Sequence, residues 1–153
     1  MKLTDILSES SIVADLHADD KTAVLERLVE AVASTHPDID RQEILAVLLE
    51  REELGSTGIG DGIAIPHGKS ANLAQIISGF GLSKDGIDFD SLDGKPANLF
   101  FLLVAPEDSV GVHLKMLARI SRMLKNSSFQ EKLLQANSQQ EIYQIISEED
   151  AKY

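Results

Sequence analysis

The 153-residue sequence contains no cysteine. Disulfides, thiolate nucleophiles and cysteine-ligated zinc are therefore excluded, and the absence fits a reducing compartment. Its four histidines never fall at His-x-His or His-x-x-x-His spacing, so no metal site is expected. Basic side chains are scarce. Lys and Arg number 14 against 25 Asp and Glu, for a formal net charge of −11. A surface of that sign repels nucleic-acid phosphates and anionic lipid, and steers basic partners towards itself. Long apolar runs are missing as well: the longest, Leu99 to Ala105, is far too short to span a bilayer. Acidic Asp5 precedes any apolar run, which is not the pattern of a signal peptide. The expectation is a cytoplasmic chain without a membrane segment, folded as one domain over residues 1–153. The remaining composition, 43% hydrophobic and 25% charged, is that of an ordinary globule able to bury a core without a covalent or metal staple.

Periodicity supplies the elements. Ile12, Val13, Ala14 and Leu16 suggest a first strand. Asp19-Asp20 can cap a helix to about Ser34 with Val24, Leu25, Leu28 and Val32 on one face. Asp40 and Glu43 have capping-box spacing before Ile44, Leu45, Leu48 and Leu49, and Gly55 is a C-terminal stop. Short segments at 56–59 and 63–65, then 75–82 and 97–105, read as strands, the last apolar enough for burial on both faces. Asp85-Gly86 and Asp93-Gly94 are turn signals. Asp108 or Ser109 opens a helix to about Lys125, and segments 129–136 and 139–147 are helical. The class is α/β: a three-layer α/β/α sandwich with a mixed sheet flanked by helices.

Five of the ten glycines (Gly55, Gly58, Gly60, Gly62, Gly68) crowd into residues 55–68. Such a stretch is either a loop whose bare amides approach an anion or a series of tight turns. Gly68-Lys69-Ser70 does not make a nucleotide-binding loop, because five residues separate it from Gly62 where four are required. His67 is the stronger candidate. Pro66 pushes Ile65 towards the extended region and stiffens the stem that presents the imidazole, and Gly68 adds nothing to crowd it. His113 falls near the start of a helix, about 40° from Leu117 at 100° per residue. It is either a satisfied core histidine or it borders a site, and the helix dipole favours its neutral ring. Arg51, in the last turn before the glycines, either complements the helix C-terminus or clamps an anion with its fork of donors. His17 and His36 lie among polar residues and read as surface.

The run Arg51-Glu52-Glu53-Leu54-Gly55-Ser56-Thr57-Gly58-Ile59-Gly60, followed by Gly62-Ile63-Ala64-Ile65-Pro66-His67-Gly68-Lys69, resembles an active-site signature. The family is the fructose/mannitol/nitrogen-regulatory enzyme IIA family of the bacterial phosphoenolpyruvate-dependent phosphotransferase system. Asp93-Gly94-Lys95-Pro96, Leu99 to Pro106 and Val112-His113-Leu114 are similar to its second half. The resemblance implies that His67 accepts a phosphoryl group from the histidine-containing phosphocarrier protein. Family members carry it on Nε2 and either relay it to a IIB domain or keep it as a signal to regulatory target proteins. By position, Arg51 matches the active-site arginine and His113 the second histidine, while Thr57, Gly58 and Gly68 form the candidate phosphate cradle. No cofactor is implied. Lys69 and the free-standing length look like the nitrogen-regulatory and fructose branches. A non-catalytic binding module of the same fold, like the cytoplasmic domains of some anion transporters, is the alternative, and retention of all three site residues counts against it.

Overall fold

Five helices form where the apolar spacing places them, in a computed structural model that describes residues 1–153. Asp20 opens α1 (Lys21–Ala33) by accepting from the Ala23 amide at 2.8 Å. Asp40 opens α2 (Arg41–Glu53) by accepting from the amides of Gln42 and Glu43. The expected capping box is only half made. The Glu43 carboxylate accepts instead from Ser70 Oγ at 3.0 Å and from Asn72 Nδ2 at 2.9 Å. Gly55, just past the end of α2, has φ +149°, a conformation that L side chains rarely adopt. α3 (Val110–Leu124), α4 (Ser127–Gln135) and α5 (Gln139–Asp150) complete the set.

The sheet has six strands: β1 (Leu7–Val13), β2 (Gly58–Gly60), β3 (Ile63–Ala64), β4 (His67–Ser70), β5 (Ile77–Ile87) and β6 (Ala97–Pro106). Their spatial order is β1-β5-β6-β3-β2, with β4 also on β6. The sheet is mixed: β5–β6 and β2–β3 are antiparallel, while β1–β5, β3–β6 and β4–β6 are parallel. From Leu99 to Ala105 the side chains of β6 alternate strictly between two cores. Leu99, Phe101, Leu103 and Ala105 pack with Met116, Ile120, Phe129, Leu133, Ile142 and Ile146 of α3, α4 and α5. Phe100, Leu102 and Val104 pack with Leu25, Leu28, Val32, Ile44 and Leu48 of α1 and α2. The sandwich therefore has three layers, and both faces of the central strand are buried. No helix is long and apolar enough to cross a membrane.

Three strands differ from the sequence reading. β1 begins five residues before Ile12 and ends at Val13; its polar middle, Ser8 to Ser10, lies on an outer strand of the sheet where only one neighbour, β5, demands pairing. β5 runs past the expected turn at Asp85-Gly86. The register against β6 slips between Leu82 and Ile87, so the glycine (φ +81°) marks an irregularity in a continuing strand. β4 was not foreseen, and it changes how His67 is held: the histidine begins a strand, with Pro66 as the break between β3 and β4.

β4 also explains Gly68. Its φ is unremarkable, but a Cβ there would sit 2.6 Å from Val47 Cγ1 on α2. Because Val47 is β-branched and stiff, the helix would have to move. Gly68→Val is expected to lower stability by about 1–3 kcal/mol through overpacking. In urea unfolding this reads as a lower midpoint at unchanged slope, with Gly68→Ala intermediate.

Candidate functional site

His67, Arg51, Gly68 and His113 line one cleft of about 740 Å³ between the end of α2, the start of β4 and the start of α3. Lys69, Glu50 and Glu107 share its wall, and Leu54, Val110 and Leu114 form an exposed apolar rim. His67 Nδ1 lies 2.7 Å from the carbonyl oxygen of Ile65. A carbonyl can only accept, so Nδ1 carries the proton, and the neutral ring leaves its lone pair on Nε2. Burial lowers the His67 pKa below 6.5; the Arg51 charge adds to this, against the Ile65 hydrogen bond and Glu52, which raise it. The neutral ring is thus the resting form at pH 7.

His113 stands in the first turn of α3, its amide donating to Ser109 O at 3.0 Å. It is 4% exposed, yet neither ring nitrogen has a hydrogen-bond partner. It is therefore not a satisfied core histidine. Its ring stands edge-on to that of His67, at 88° with centroids 5.7 Å apart. Arg51 Nη1 donates to Gly55 O at 2.9 Å, just past the end of α2, and the side chain forms part of the cleft wall. Its remaining donors make no hydrogen bond within the protein.

Thr57 and Gly58 do not line this cleft. The Thr57 amide and hydroxyl both donate to the Glu52 carboxylate, and Gly58 packs against Ser91. The glycine run divides accordingly: its early part builds the β2–β3 hairpin, and only Gly68 reaches the cleft. Lys69, Glu50 and Glu107 were not singled out from sequence. Lys69 enters the sequence reading only as part of the rejected Gly-Lys-Ser motif and of the family signature, with no role at the site, and the two glutamates carry no local signal in so acidic a chain.

This is the cleft of a protein built to present an imidazole nitrogen beside cationic and polar groups. The sequence model of the family described as "Phosphoenolpyruvate-dependent sugar phosphotransferase system, EIIA 2" matches residues 5–149, and the chain belongs to that family. It is 39% identical over 147 residues to the "Nitrogen regulatory protein" of Bradyrhizobium diazoefficiens, covering 96% of this chain and 95% of that one. It is equally 39% identical over 150 residues to the "PTS system fructose-specific EIIABC component" of Bacillus subtilis, where it covers 98% of this chain but only 24% of the larger protein. The crystal structure of nitrogen regulatory protein IIA-Ntr from Neisseria meningitidis superposes with a TM-score of 0.86 at 33% identity, covering 93% of this chain and 97% of that one.

His113 yields a direct prediction. Burial, with the charges of His67 and Lys69 adding to it, lowers its pKa from 6.5 to about 4. Between those values the unfolded chain binds a proton at residue 113 that the folded chain refuses, so stability falls as pH drops through this window. Histidine-resolved NMR titration should place the His113 midpoint near 4. Urea unfolding at several pH values should show the slope diminish in His113→Gln.

Proposed function

We infer that this chain is a phosphohistidine carrier: His67 accepts a phosphoryl group on Nε2 from the phosphohistidine of a histidine-containing phosphocarrier protein. One observation carries the reading, the hydrogen bond of 2.7 Å that commits Nδ1 to Ile65 and leaves Nε2 as the nucleophile. In the transfer, the Nε2 lone pair forms the new N–P bond as the donor's N–P bond breaks. That bond's electron pair returns to the donor ring, which leaves neutral if its other nitrogen holds a proton. The His67 ring keeps its Nδ1 proton and becomes formally cationic, and the Ile65 carbonyl stabilises this charge.

The transferring phosphoryl group is loose and highly charged, so the protein's task is to position and neutralise it. Arg51 supports that role with a planar fork of donors on the cleft wall. His113 supports it with ring nitrogens that lack partners in the resting protein. An unmet buried N–H costs about 1–3 kcal/mol, a cost that a phosphate oxygen beside His67 would relieve by accepting from the His113 ring N–H. Gly68 serves by admitting α2 close to β4. A cytoplasmic location goes with a role in this relay.

Relatives named as a nitrogen regulatory protein and as a fructose-specific component match this chain at the same 39% identity, so the carrier reading holds a regulator and a sugar relay side by side. Assaying phosphoryl passage from the labelled chain to purified IIB domains separates the two: retention of label favours the regulator.

His67→Ala should take up no label from phosphoenolpyruvate, enzyme I and the phosphocarrier protein, while wild-type label is acid-labile and alkali-stable. Uptake of label by folded His67→Ala at the wild-type rate would sink the reading. For Arg51→Ala, loss of a charge-assisted contact in the transition state should slow transfer by roughly a hundredfold or more. Arg51→Lys, which keeps charge but loses the fork, should fall between. Stopped-time labelling at saturating donor measures both.

A further inference from the structure

Glu52 follows Arg51 in the sequence but turns away from the cleft. Its side chain is 4% exposed. Oε1 accepts from Lys21 Nζ at 2.9 Å and from the Thr57 amide at 3.1 Å, and Oε2 accepts from the Thr57 hydroxyl. Lys21 is itself fixed, with Nζ 3.5 Å from Asp90 and 4.8 Å from the centre of the Phe89 ring. A buried carboxylate is costly unless its partners are well placed, and its charge-assisted bonds are stronger than neutral ones. Thr57 is therefore held by both its amide and its side chain.

From Thr57 the bonds continue to the cleft. The Thr57 carbonyl accepts from Ile65 N at 3.0 Å, and the Ile65 carbonyl accepts from His67 Nδ1 at 2.7 Å. The Ile65 side chain is buried, and Pro66 confines its backbone to the extended region. With its N–H anchored and its ψ restricted, Ile65 has little freedom to swing its carbonyl away from His67. The negative charge of Glu52 also favours a positive His67 ring, the form the ring takes when Nε2 carries a phosphoryl group.

We propose that Glu52, paired with Lys21, is a positioning residue for His67. Acting through Thr57 and Ile65, it keeps the proton on Nδ1 and the lone pair on Nε2. The tautomer part stands on geometry alone; its consequence for transfer rests on the carrier reading above.

The test uses the full chain labelled with ¹⁵N-histidine. Long-range ¹H–¹⁵N spectra, recorded where His67 is neutral, report which nitrogen holds the proton. Wild type should show the Nδ1–H form. Glu52→Gln and Thr57→Val should gain the Nε2–H form, since a released imidazole populates both tautomers, and Thr57→Ser should restore the wild-type spectrum. Arg119→Gln, which breaks a different buried ion pair with Asp150, should lower the melting temperature without moving the His67 tautomer. With phosphorylated carrier protein as donor, the rate at saturation should fall roughly tenfold or more in Glu52→Gln and Thr57→Val, with the half-saturating donor concentration unchanged. If Glu52→Gln does not fold, the Thr57 pair decides. An unchanged tautomer in folded Thr57→Val and Glu52→Gln overturns the proposal, as does an equal shift in Arg119→Gln. A wild-type chain that takes up no phosphoryl group overturns the carrier reading instead, and the spectra still decide the tautomer.

Discussion

The close approach of α2 to β4 is the constraint on which the cleft depends. The eight steps of helix from Glu43 to Arg51 rise about 12 Å, and the three steps of strand from Ser70 to His67 extend about 10 Å. The two elements therefore match in length when laid side by side in opposite directions. Glu43 is pinned to Ser70 and Asn72 at one end, and Val47 lies over Gly68 in the middle. Arg51 then arrives beside His67 without a contact devoted to bringing it there. The next residue on the helix, Glu52, faces inward to Lys21 and Thr57. One helix end thus divides its charges, a cation for the cleft and an anion for the scaffold. A side chain at residue 68 would disturb both.

The electrostatics of the cleft are not those of the whole chain. A net charge of −11 would suggest a poor place for an anion, but Arg51 and Lys69 both line the cleft. Burial does more than charge to set the state of the histidines: it is the largest influence lowering both His67 and His113. A neutral ring is what a nucleophile requires, and partial burial strengthens the attraction of a cleft cation for an anion that enters. Glu50 and Glu107 on the same wall suit a partner that brings cationic groups of its own.

Much of this is legible in the sequence alone. The apolar run of β6, the two inward faces of α1 and α3, and the Asp20 and Asp40 caps follow from local rules, and local rules suffice where burial and capping agree. His67 stood out because Pro66 and Gly68 bracket it, and Arg51 because it precedes the glycines. What escaped is set by distant partners. β4 is built from His, Gly, Lys and Ser, which have little strand preference; only pairing with Leu103 to Pro106 makes them a strand. The capping-box spacing of Glu43 was real, but Ser70 and Asn72 outcompeted the backbone for its carboxylate. Glu52 was hidden among Glu50 and Glu53, and only the tertiary position of Lys21 distinguishes it. For His113, helical arithmetic gave the inward direction but not the absence of a partner.

A relay and a regulator place opposite demands on the same geometry. On the carrier reading, a phosphoryl group on Nε2 would add about two negative charges to a wall that already holds Glu50 and Glu107, and the free and phosphorylated forms would differ most in potential where a partner docks. A relay needs that group to leave readily, so its binding energy must be reserved for the transition state. A regulator needs the group to persist, so Arg51 and His113 must also stabilise the phosphorylated ground state. The single N–H of the neutral His113 ring, unpartnered in the resting protein, is the donor open to a phosphate oxygen in either case. The distinction therefore lies in how much of the bonding by Arg51 and His113 survives once transfer is complete, which is a matter of the rigidity of α2 and α3 around the cleft more than of which residues line it.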